Sequence, residues 1–240
     1  MKVAFLGTPD FAATAFDALL ASDHEIVCVV SQPDRRAGRG RRVTRPPVAE
    51  RADALGIPLQ QPQSVGSPEL REWIADSGAE GGVVVAFGKI LGPELLATPA
   101  YGFLNIHASL LPRWRGASPI QAALLAGDTT TGVTIIEVTP GLDAGPMLDR
   151  FEISIPPGMT ADALHDALAV LGGERIVSVL DRLPEGITAE VQDPAQVTRA
   201  PLIKKADGDL DWSISADALA RRVRALHPWP GTRTRLGELV

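Results

Sequence analysis

The sequence predicts an α/β fold in which a Rossmann-like, mostly parallel sheet carries helices on both faces. The first observation is that short apolar strands alternate with helical patterns along the first half of the chain. The second is that residues 25–30 are apolar and rich in β-branched side chains, as expected of a strand covered on both faces. The chain has 240 residues, 45% of them hydrophobic and 22% charged, which suffices for one such domain and a smaller piece.

The strands are predicted from short runs of apolar and β-branched residues. These runs are residues 2–7, 25–30, 82–87, 102–108, 131–138 and 147–155. The last of them is expected to pair with the strand before it or with a neighbour of that strand. Cys28 lies in the second run, where a buried small hydrophobic residue is expected, and a single cysteine excludes an internal disulfide.

The helices are predicted from apolar residues near the 3.6-residue period and from start signals. They are residues 11–21, 47–55, 67–76, 118–126 and 160–182. Asp10 is the candidate N-cap of the first helix, and Ser67 caps the third, with Pro68 in its first position. Residues 184–201 are predicted to be a connector.

Several classes of site are excluded by the motifs that this sequence lacks. The first strand–helix turn, Gly7-Thr8-Pro9-Asp10, has no Gly-x-Gly-x-x-Gly pattern, so neither NAD nor FAD is predicted. No P-loop, His-Glu-x-x-His or Gly-x-Ser-x-Gly motif occurs, and no metal site is expected. The apolar runs are too short for a membrane span or a secretory signal, and a reducing cytoplasm is the expected location.

Three polar side chains alternate at the end of a predicted buried strand. Asn105, His107 and Ser109 share one face of this strand, while Ile106 and Ala108 share the other. An unpaired amide or imidazole costs about 1–3 kcal/mol to bury. A lone histidine here is best explained by local hydrogen bonds, but the flanking polar residues favour a functional site. Such a site is expected at the carboxyl ends of the central strands, near a switch point of the sheet.

A second candidate lies in the glycine-bracketed segment Gly141-Leu142-Asp143-Ala144-Gly145, which follows another predicted strand. Glycine allows the backbone to approach a ligand closely. Taken alone, Asp143 is best explained as a turn residue. A carboxylate beside His107 would raise the pKa of the imidazole, so an imidazolium is expected near neutral pH if the two residues meet.

The chain resembles the folate-dependent formyltransferase family through these residues and their neighbours. The motif is Asn105-x-His107-x-Ser109-Leu110-Leu111-Pro112, followed by Arg115-Gly116 and later by Asp143-Ala144-Gly145. The resemblance implies that Asn105, His107 and Asp143 are catalytic. It also implies a folate site formed by Ser109, Leu110, Leu111 and Pro112, flanked by the loop Phe87-Gly88-Lys89-Ile90 and the backbone after Val138.

A further set of motifs is similar to the branch of this family that acts on aminoacylated tRNA. These motifs are Gly7-Thr8-Pro9-Asp10-Phe11-Ala12, Gln32-Pro33-Asp34-Arg35, Ala37-Gly38-Arg39-Gly40, Ala86-Phe87-Gly88, Lys204-x-x-Asp207-Gly208-x-x-Asp211-Trp212 and Pro228-Trp229-Pro230-Gly231. The resemblance covers nearly the whole chain. It implies transfer of the formyl group of 10-formyltetrahydrofolate to the α-amino group of initiator methionyl-tRNA, with no metal ion.

The resemblance also implies a division of the chain into two domains. Residues 1–203 are expected to form the catalytic domain, and residues 204–240 a linker and the beginning of a C-terminal OB-like β-barrel. That barrel is expected to be truncated, since the chain stops at Val240. Trp212 and Trp229 are expected to pack the start of this second domain against the first.

A cluster of arginines stands out from an otherwise acidic chain with a formal net charge of −6. It comprises Arg35, Arg36, Arg39, Arg41, Arg42 and Arg45, and no acidic residue occurs between Arg35 and Ala49. A flexible loop of unpartnered cations is expected, and it suits phosphates and exposed bases. Similar proteins insert this loop into the acceptor end of initiator tRNA, so the six arginines are predicted to bind tRNA.

Two other functions remain open from the residues alone. A related formyltransferase for a small amine would share Asn105, His107 and Asp143 but has no need of the arginine cluster. A non-catalytic tRNA- or folate-binding module would keep the cluster without the catalytic set. A monomer is expected. Surface or structural roles are expected for Lys89, Arg113, His24 and His165, and Arg221, Arg222 and Arg224 are either part of a tRNA track or the polar face of a helix.

Overall fold

A seven-stranded sheet forms the centre of the fold in the computed structural model, which describes residues 1–37 and 42–235. The strands in this part of the chain are β1 (Lys2–Gly7), β2 (Glu25–Val30), β3 (Arg35–Ala37), β4 (Arg42–Thr44), β5 (Leu59–Gln60), β6 (Gly81–Val85), β7 (Phe103–His107), β8 (Arg115–Gly116), β9 (Thr130–Glu137), β10 (Met147–Ser154) and β11 (Arg199–Ala200). The helices are α1 (Asp10–Leu20), α2 (Pro47–Leu55), α3 (Pro68–Asp76), α4 (Pro93–Leu96), α5 (Pro119–Ala126), α6 (Ala161–Arg182) and α7 (Ala216–Ala225).

The order of the strands in the main sheet is β10-β9-β7-β6-β1-β2-β5. Strands β5, β2, β1, β6 and β7 are mutually parallel, whereas β9 runs antiparallel to both of its neighbours, β7 and β10. The chain proceeds from β1 to one side through β2 and β5, and then returns to the other side through β6 and β7. The predicted mostly parallel α/β sheet is therefore confirmed, with its switch point between β1 and β6.

Apolar side chains leave the central strands toward two separate cores, one on each face of the sheet. In β1, Val3 and Phe5 join the core that includes α1 and α6, while Ala4 and Leu6 join the core that includes α3. This alternation follows from the two-residue period of a strand. The larger core also contains residues of α2 and α5, so helices cover both faces as predicted.

Each predicted strand and helix is present, with ends that differ by no more than two residues from the predicted ones. Ser67 caps α3 as expected, since its side chain accepts a hydrogen bond from the amide of Leu70. The predicted cap of α1 was wrong, because Pro9 occupies the N-cap position and Asp10 is the first helical residue. The carbonyl of Pro9 accepts the first helical hydrogen bonds, from Ala12 and Ala13.

The flexible loop predicted for residues 35–45 begins and ends in short paired strands, while residues 38–41 lie outside the described residues. Strands β3 and β4 pair antiparallel, with Arg35 opposite Thr44 and Arg36 opposite Val43. Two short strands can pair their backbone groups with each other without burying one face. Their sequences therefore need no alternation of apolar and polar residues, which is the pattern that predicts a strand. The same reason accounts for the unpredicted two-residue strands β8 and β11, which pair with each other outside the main sheet.

The C-terminal part of the described chain is helical. A 3-10 turn (Lys205–Gly208) precedes α7, which lies against α5 and buries Ala225, and no strand element of the expected barrel falls within residues 204–235. Trp212 and Trp229 are exposed, which corrects the expectation that they pack the two parts together. In the described residues, no helix is both long and apolar enough to cross a membrane.

Candidate active site

Strand β7 presents its polar side chains to a cavity on one side of the sheet. Leu104 and Ile106 of this strand belong to the core under α1 and α6, so the alternate residues Asn105 and His107 point away from that core. The cavity has a volume of about 680 Å³, and both side chains line it. Its other walls come from the segments that follow β1, β6 and β9 and from the start of α5.

The backbone of Trp114 sets the orientation of the His107 ring. The Nε2 atom of His107 lies 3.0 Å from the carbonyl oxygen of Trp114. Because a carbonyl oxygen only accepts hydrogen bonds, Nε2 carries the proton in the neutral ring and Nδ1 keeps a free lone pair. Trp114 has a φ of 66°, a left-handed conformation that a tryptophan rarely adopts and that places its carbonyl in this position.

The His107 ring is buried, and that burial dominates its ionisation. Removal from water lowers the pKa of His107 below its ordinary value of 6.5, and the nearby Arg115 cation lowers it further. The Asp143 carboxylate and the hydrogen bond to Trp114 act in the opposite direction but are outweighed. Burial therefore opposes the imidazolium expected from the sequence, which revealed the carboxylate but not the degree of burial.

Asp143 reaches the same wall of the cavity from the loop after β9. Its Oδ1 atom lies 3.7 Å from Nδ1 of His107, and its Oδ2 atom accepts a hydrogen bond of 2.8 Å from the backbone amide of Gly116. Asp143 has a φ of 49°, which is uncommon outside glycine. At 3.7 Å this contact is an electrostatic one and too long for a hydrogen bond.

Gly145 makes the close approach of this loop to β9 possible. A Cβ atom at position 145 would lie 1.8 Å from the carbonyl oxygen of Glu137, a distance that no side chain tolerates. The glycine bracket in the sequence therefore corresponds to a steric requirement at Gly145.

The side-chain amide of Asn105 is available for a ligand. The residue lies opposite Val84 of β6 and Ile136 of β9, two apolar neighbours that also line the cavity. Among the described residues, its side-chain amide has no hydrogen-bond partner. An amide beside apolar walls with unused donors is suited to bind an oxygen atom of a substrate.

Two of the predicted folate-contacting residues, Phe87 and Gly88, line the cavity. The chain turns sharply after β6, where Ala86 has a φ of 44° and Gly88 a φ of 75°. The side chain of Gln32 supports this turn, since its Nε2 atom donates a 2.9 Å hydrogen bond to the carbonyl of Phe87. The backbone after Val138, predicted to flank the same ligand, also contributes to the cavity wall, at Thr139 and Pro140.

The segment Ser109–Pro112 does not line this cavity but supports its wall from behind. The Ser109 hydroxyl donates to the carbonyl of Arg113, and the backbone of Ser109 and Leu111 bonds to the hydroxyl of Thr134. The side chain of Leu111 is fully buried with Ile136. Direct contact of this segment with folate therefore stays a prediction from the family resemblance.

The arginine cluster is more constrained than the sequence suggested. Arg45 forms ion pairs with Asp34 and Asp53, which lie outside the acid-free stretch and fold back onto it. Arg35 donates a 2.8 Å hydrogen bond to the side chain of Gln32, and Arg36 is exposed. Arg42 belongs to β4, and the predicted tRNA-binding residues Arg39 and Arg41 lie outside the described residues.

Several residues near the cavity were not predicted as site residues. Lys89 and His165 both line it, and the Lys89 ammonium donates to the carbonyls of Pro62 and Gln63. Gln192 is buried behind the Asp143 loop, within the stretch predicted to be a plain connector. A polar side chain in a connector carries no periodic signal that would have singled it out. Arg113 is exposed and paired with Asp128, in keeping with the expected surface role.

The described part of the chain contains no cluster of side chains that could bind a metal ion. No group of three or more histidine, cysteine, aspartate or glutamate side chains lies close enough to hold an ion there.

Comparison with known families assigns both parts of the chain to formyl transferases. A family model described as "Formyl transferase" matches residues 1–180, and one described as "Formyl transferase, C-terminal domain" matches residues 202–239.

Two curated relatives are similar along almost the whole chain. A protein named methionyl-tRNA formyltransferase from Marinobacter nauticus is 48% identical over 239 residues, which cover 99% of this chain and 77% of the relative. A protein of the same name from Granulibacter bethesdensis is 50% identical over 233 residues, covering 97% of this chain and 74% of the relative.

A solved structure shares the fold at low sequence identity. It is an N-formyltransferase from Helicobacter canadensis in complex with folinic acid and dTDP-3-aminofucose. The TM-score is 0.70 at 15% identity, and the match covers 94% of this chain and 80% of that one. Agreement at this level concerns the arrangement of the backbone alone.

Proposed function

The chain belongs to the formyl transferase family. We propose that it transfers the formyl group of 10-formyltetrahydrofolate to the α-amino group of initiator methionyl-tRNA, the tRNA with which translation begins. One structural observation carries the chemistry: Asn105, His107 and Asp143 line the same cavity, with His107 and Asp143 in contact. The choice of acceptor is supported by relatives of that name with about half of their aligned residues identical.

The formyl donor occupies the cavity beside the turn after β6. A volume of about 680 Å³ falls within the range of pockets that bury small organic ligands. Apolar residues such as Phe87, Leu91 and Val138 offer flat contacts for a pterin ring, and Gly88 allows close approach of the backbone. Ser109–Pro112 contributes to folate binding mainly by fixing the wall that carries Asn105 and His107.

The Asn105 amide stabilises the charge that develops when the amine attacks. The nitrogen lone pair forms a bond to the formyl carbon, and the electrons of the carbonyl double bond move to oxygen. Asn105 lines the cavity and its N–H donors are unused among the described residues, so its amide can donate to the oxyanion. A donor of this kind contributes about 3–4 kcal/mol to the stability of the transition state.

His107 moves the proton between the two nitrogen atoms. Its free Nδ1 lone pair takes a proton from the attacking amine, and the Asp143 carboxylate, 3.7 Å away, stabilises the resulting imidazolium. When the carbonyl re-forms and the bond from carbon to the folate nitrogen breaks, His107 returns the proton to that nitrogen. The products are tetrahydrofolate and the formylated amine, with atoms and charge balanced.

The arginine cluster contacts the acceptor end of the tRNA. Arg36 is exposed at the described part of the β3–β4 hairpin, and Arg35 lies beside Gln32 at its base. Guanidinium groups bind phosphates and stack on unpaired bases. Arg45 acts differently from the other members, because its ion pairs with Asp34 and Asp53 hold the base of the hairpin.

The remaining features of the proposal concern the whole molecule. Residues 1–203 form the catalytic domain and residues 204–240 belong to a C-terminal domain, a division supported by the two family matches at 1–180 and 202–239. The protein acts as a monomer in the cytoplasm, where charged initiator tRNA is present.

One assay separates this function from the alternatives. The protein is mixed with 10-formyltetrahydrofolate and one of three acceptors: charged initiator tRNA, glycinamide ribonucleotide or an amino-sugar nucleotide. Formyl transfer to methionyl-tRNA at least a hundredfold faster than to either small amine is expected. Preferential transfer to a small amine contradicts the proposed acceptor, and binding of tRNA without transfer indicates a non-catalytic module.

A further inference from the structure

Gln192 connects the site to a segment beyond the long helix α6. Its side chain is 4% exposed, and its Nε2 atom donates two hydrogen bonds, of 2.9 Å to the carbonyl of Asp143 and 2.7 Å to the carbonyl of Gly145. Its Oε1 atom accepts a 2.9 Å hydrogen bond from Nε of Arg115. Each polar atom of this buried amide is therefore used, and two of its three bonds fix the loop that carries Asp143.

We call residues 192–200 the strap. Beyond Gln192, the strap also holds Trp114, the residue whose carbonyl bonds to the His107 ring. The Thr198 hydroxyl accepts a 2.9 Å hydrogen bond from the amide of Trp114, whose carbonyl orients the His107 ring. Ala200 pairs in parallel with Gly116, whose amide binds the Asp143 carboxylate. The strap thus contacts the supports of both members of the His107–Asp143 pair.

The backbone of Asp143 needs such a support. A φ of 49° is a sparsely populated conformation for a residue with a side chain, and it persists only when neighbouring contacts fix it. Gln192 bonds to the carbonyl of that same residue, so it holds the peptide plane whose orientation aims the carboxylate.

We propose that Gln192 is a positioning residue for the formyl transfer reaction, which sets the distance from the Asp143 carboxylate to His107 by clamping the carbonyls of Asp143 and Gly145. This inference rests on the proposed function. It extends the site to the strap, which lies outside the central sheet and touches no reacting atom.

The chemistry of the side chain explains the choice of glutamine. The clamp needs two N–H donors on one atom for two carbonyls and an acceptor for the Arg115 guanidinium. Glutamate accepts from Arg115 but has no donor for the carbonyls. Asparagine has the same groups on a shorter stem, and a lysine places a charge in a buried position.

The test is a double-mutant cycle between Gln192 and Asp143. Gln192→Ala is expected to lower kcat by about a hundredfold, as displacement of a reacting group by about 1 Å does, while KM for 10-formyltetrahydrofolate changes less than about threefold. In an Asp143→Ala background, the same change is expected to alter kcat by less than about twofold, because the group that it positions is gone. An equal loss in both backgrounds overturns the proposal.

A matched control and an isosteric variant exclude a purely structural effect. Gln196→Ala removes a glutamine of the strap that bonds to the exposed Asp193, and wild-type kcat is expected. Gln192→Glu keeps the volume and the acceptor for Arg115 but loses both donors, so it is expected to behave like Gln192→Ala. If neither Gln192 variant folds, the residue serves stability and the proposal is wrong.

A second readout does not depend on turnover. The charged groups that act on His107 are Asp143, which raises its pKa, and Arg115, which lowers it. Displacement of the carboxylate in Gln192→Ala is therefore expected to lower the titration midpoint of His107 by NMR, toward that of Asp143→Asn. An unchanged midpoint overturns the inference. This result is decisive even if wild-type protein fails to formylate methionyl-tRNA, which would refute the proposed function instead.

Discussion

The Nδ1 atom of His107 faces the Oδ1 atom of Asp143 across 3.7 Å, while the opposite nitrogen of the ring bonds to the carbonyl of Trp114. The carbonyl assigns the proton of the neutral ring to Nε2 and leaves a lone pair beside a carboxylate. In this arrangement His107 can act as a general base, and the Asp143 carboxylate stabilises the imidazolium that forms. Strand β7 supplies the histidine and the loop after β9 supplies the carboxylate.

Removal of either member of this pair is expected to abolish most activity without unfolding the protein. His107→Ala removes the base, and Asp143→Ala removes the charge that stabilises its protonated form, so kcat is expected to fall by about 10²–10⁴-fold in each. The measurement is formylation of methionyl-tRNA, with urea unfolding to compare stability. Asp23→Ala changes an exposed carboxylate that does not line the cavity and serves as the control. Near-normal turnover in either active-site variant contradicts the assigned roles.

The pH dependence of the reaction is expected to show His107 as a group that must be neutral. Burial lowers the pKa of His107 below 6.5, so the base is available above that pKa and is lost as pH falls through it. The attacking amine, with a pKa of about 7.7–8.0, must also be neutral. The logarithm of kcat/KM is therefore expected to fall with slope one below the amine pKa and slope two below the His107 pKa.

The Asp143→Asn variant distinguishes these two groups. Loss of the carboxylate removes an effect that raises the pKa of His107, so the lower break is expected to move to more acidic pH. The upper break belongs to the substrate and is expected to stay in place. A lower break that stays fixed in Asp143→Asn assigns the titration to a different group.

Asn105 is expected to stabilise the transition state of the reaction and to contribute little to the stability of the folded protein. Asn105→Ala removes unused donors from the cavity wall, so kcat is expected to fall by about 10²–10³-fold with little change in KM for the folate substrate. The midpoint of urea unfolding is expected to stay near the wild-type value, because the amide has no partner among the described residues. A large loss of stability with unchanged kcat in the folded fraction excludes the oxyanion role.

Gln32 is expected to control the affinity for folate from outside the cavity. In Gln32→Leu the buried carbonyl of Phe87 loses its donor, at a cost of about 1–3 kcal/mol. The turn that carries Phe87 and Gly88 loosens, and the Kd for tetrahydrofolate measured by calorimetry is expected to rise about tenfold. Gln63→Leu changes an exposed side chain nearby and is the matched control. Equal affinities for the two variants refute this coupling.

The arginine cluster is expected to determine how tRNA binding depends on salt. Neutralising Arg39, Arg41 and Arg42 together is expected to raise KM for tRNA, and each lost phosphate contact reduces the slope of log KM against log salt by about 0.7–0.9. Arg71→Ala, which removes an arginine outside the cluster that is paired with Glu94, is the control for the loss of a single positive charge. Arg45→Ala is expected to lower the free energy of unfolding but to leave the salt slope nearly unchanged, because Asp34 and Asp53 already neutralise Arg45. An unchanged slope in the triple variant refutes the tRNA role.

Strong periodic signals in the sequence were sufficient for the main architecture. The apolar run at 25–30 and the alternation at 102–108 correctly predicted β2 and β7 and the opposite faces of Ile106 and His107. The cap at Ser67 was also correct. The elements that were missed are short: β8 and β11 pair over a long separation, and β3 and β4 are only three residues each. Their residues satisfy one another without a periodic apolar face, so no local pattern exists to be read.

The sequence by itself determined the α/β class and the family resemblance, and it predicted Asn105, His107 and Asp143 as site residues, because these depend on residue types and on the spacing within short motifs. Only the tertiary structure decided that the His107 ring is buried, which lowers its pKa, that Arg45 is ion-paired, and that the Gln192 side chain bonds to the Asp143 loop. Burial and contacts between residues 49 positions apart, such as Asp143 and Gln192, arise when the chain folds. The pKa of a side chain such as His107 depends on how far burial removes it from water and on which charged groups lie beside it. Neither can be derived from a local stretch of sequence.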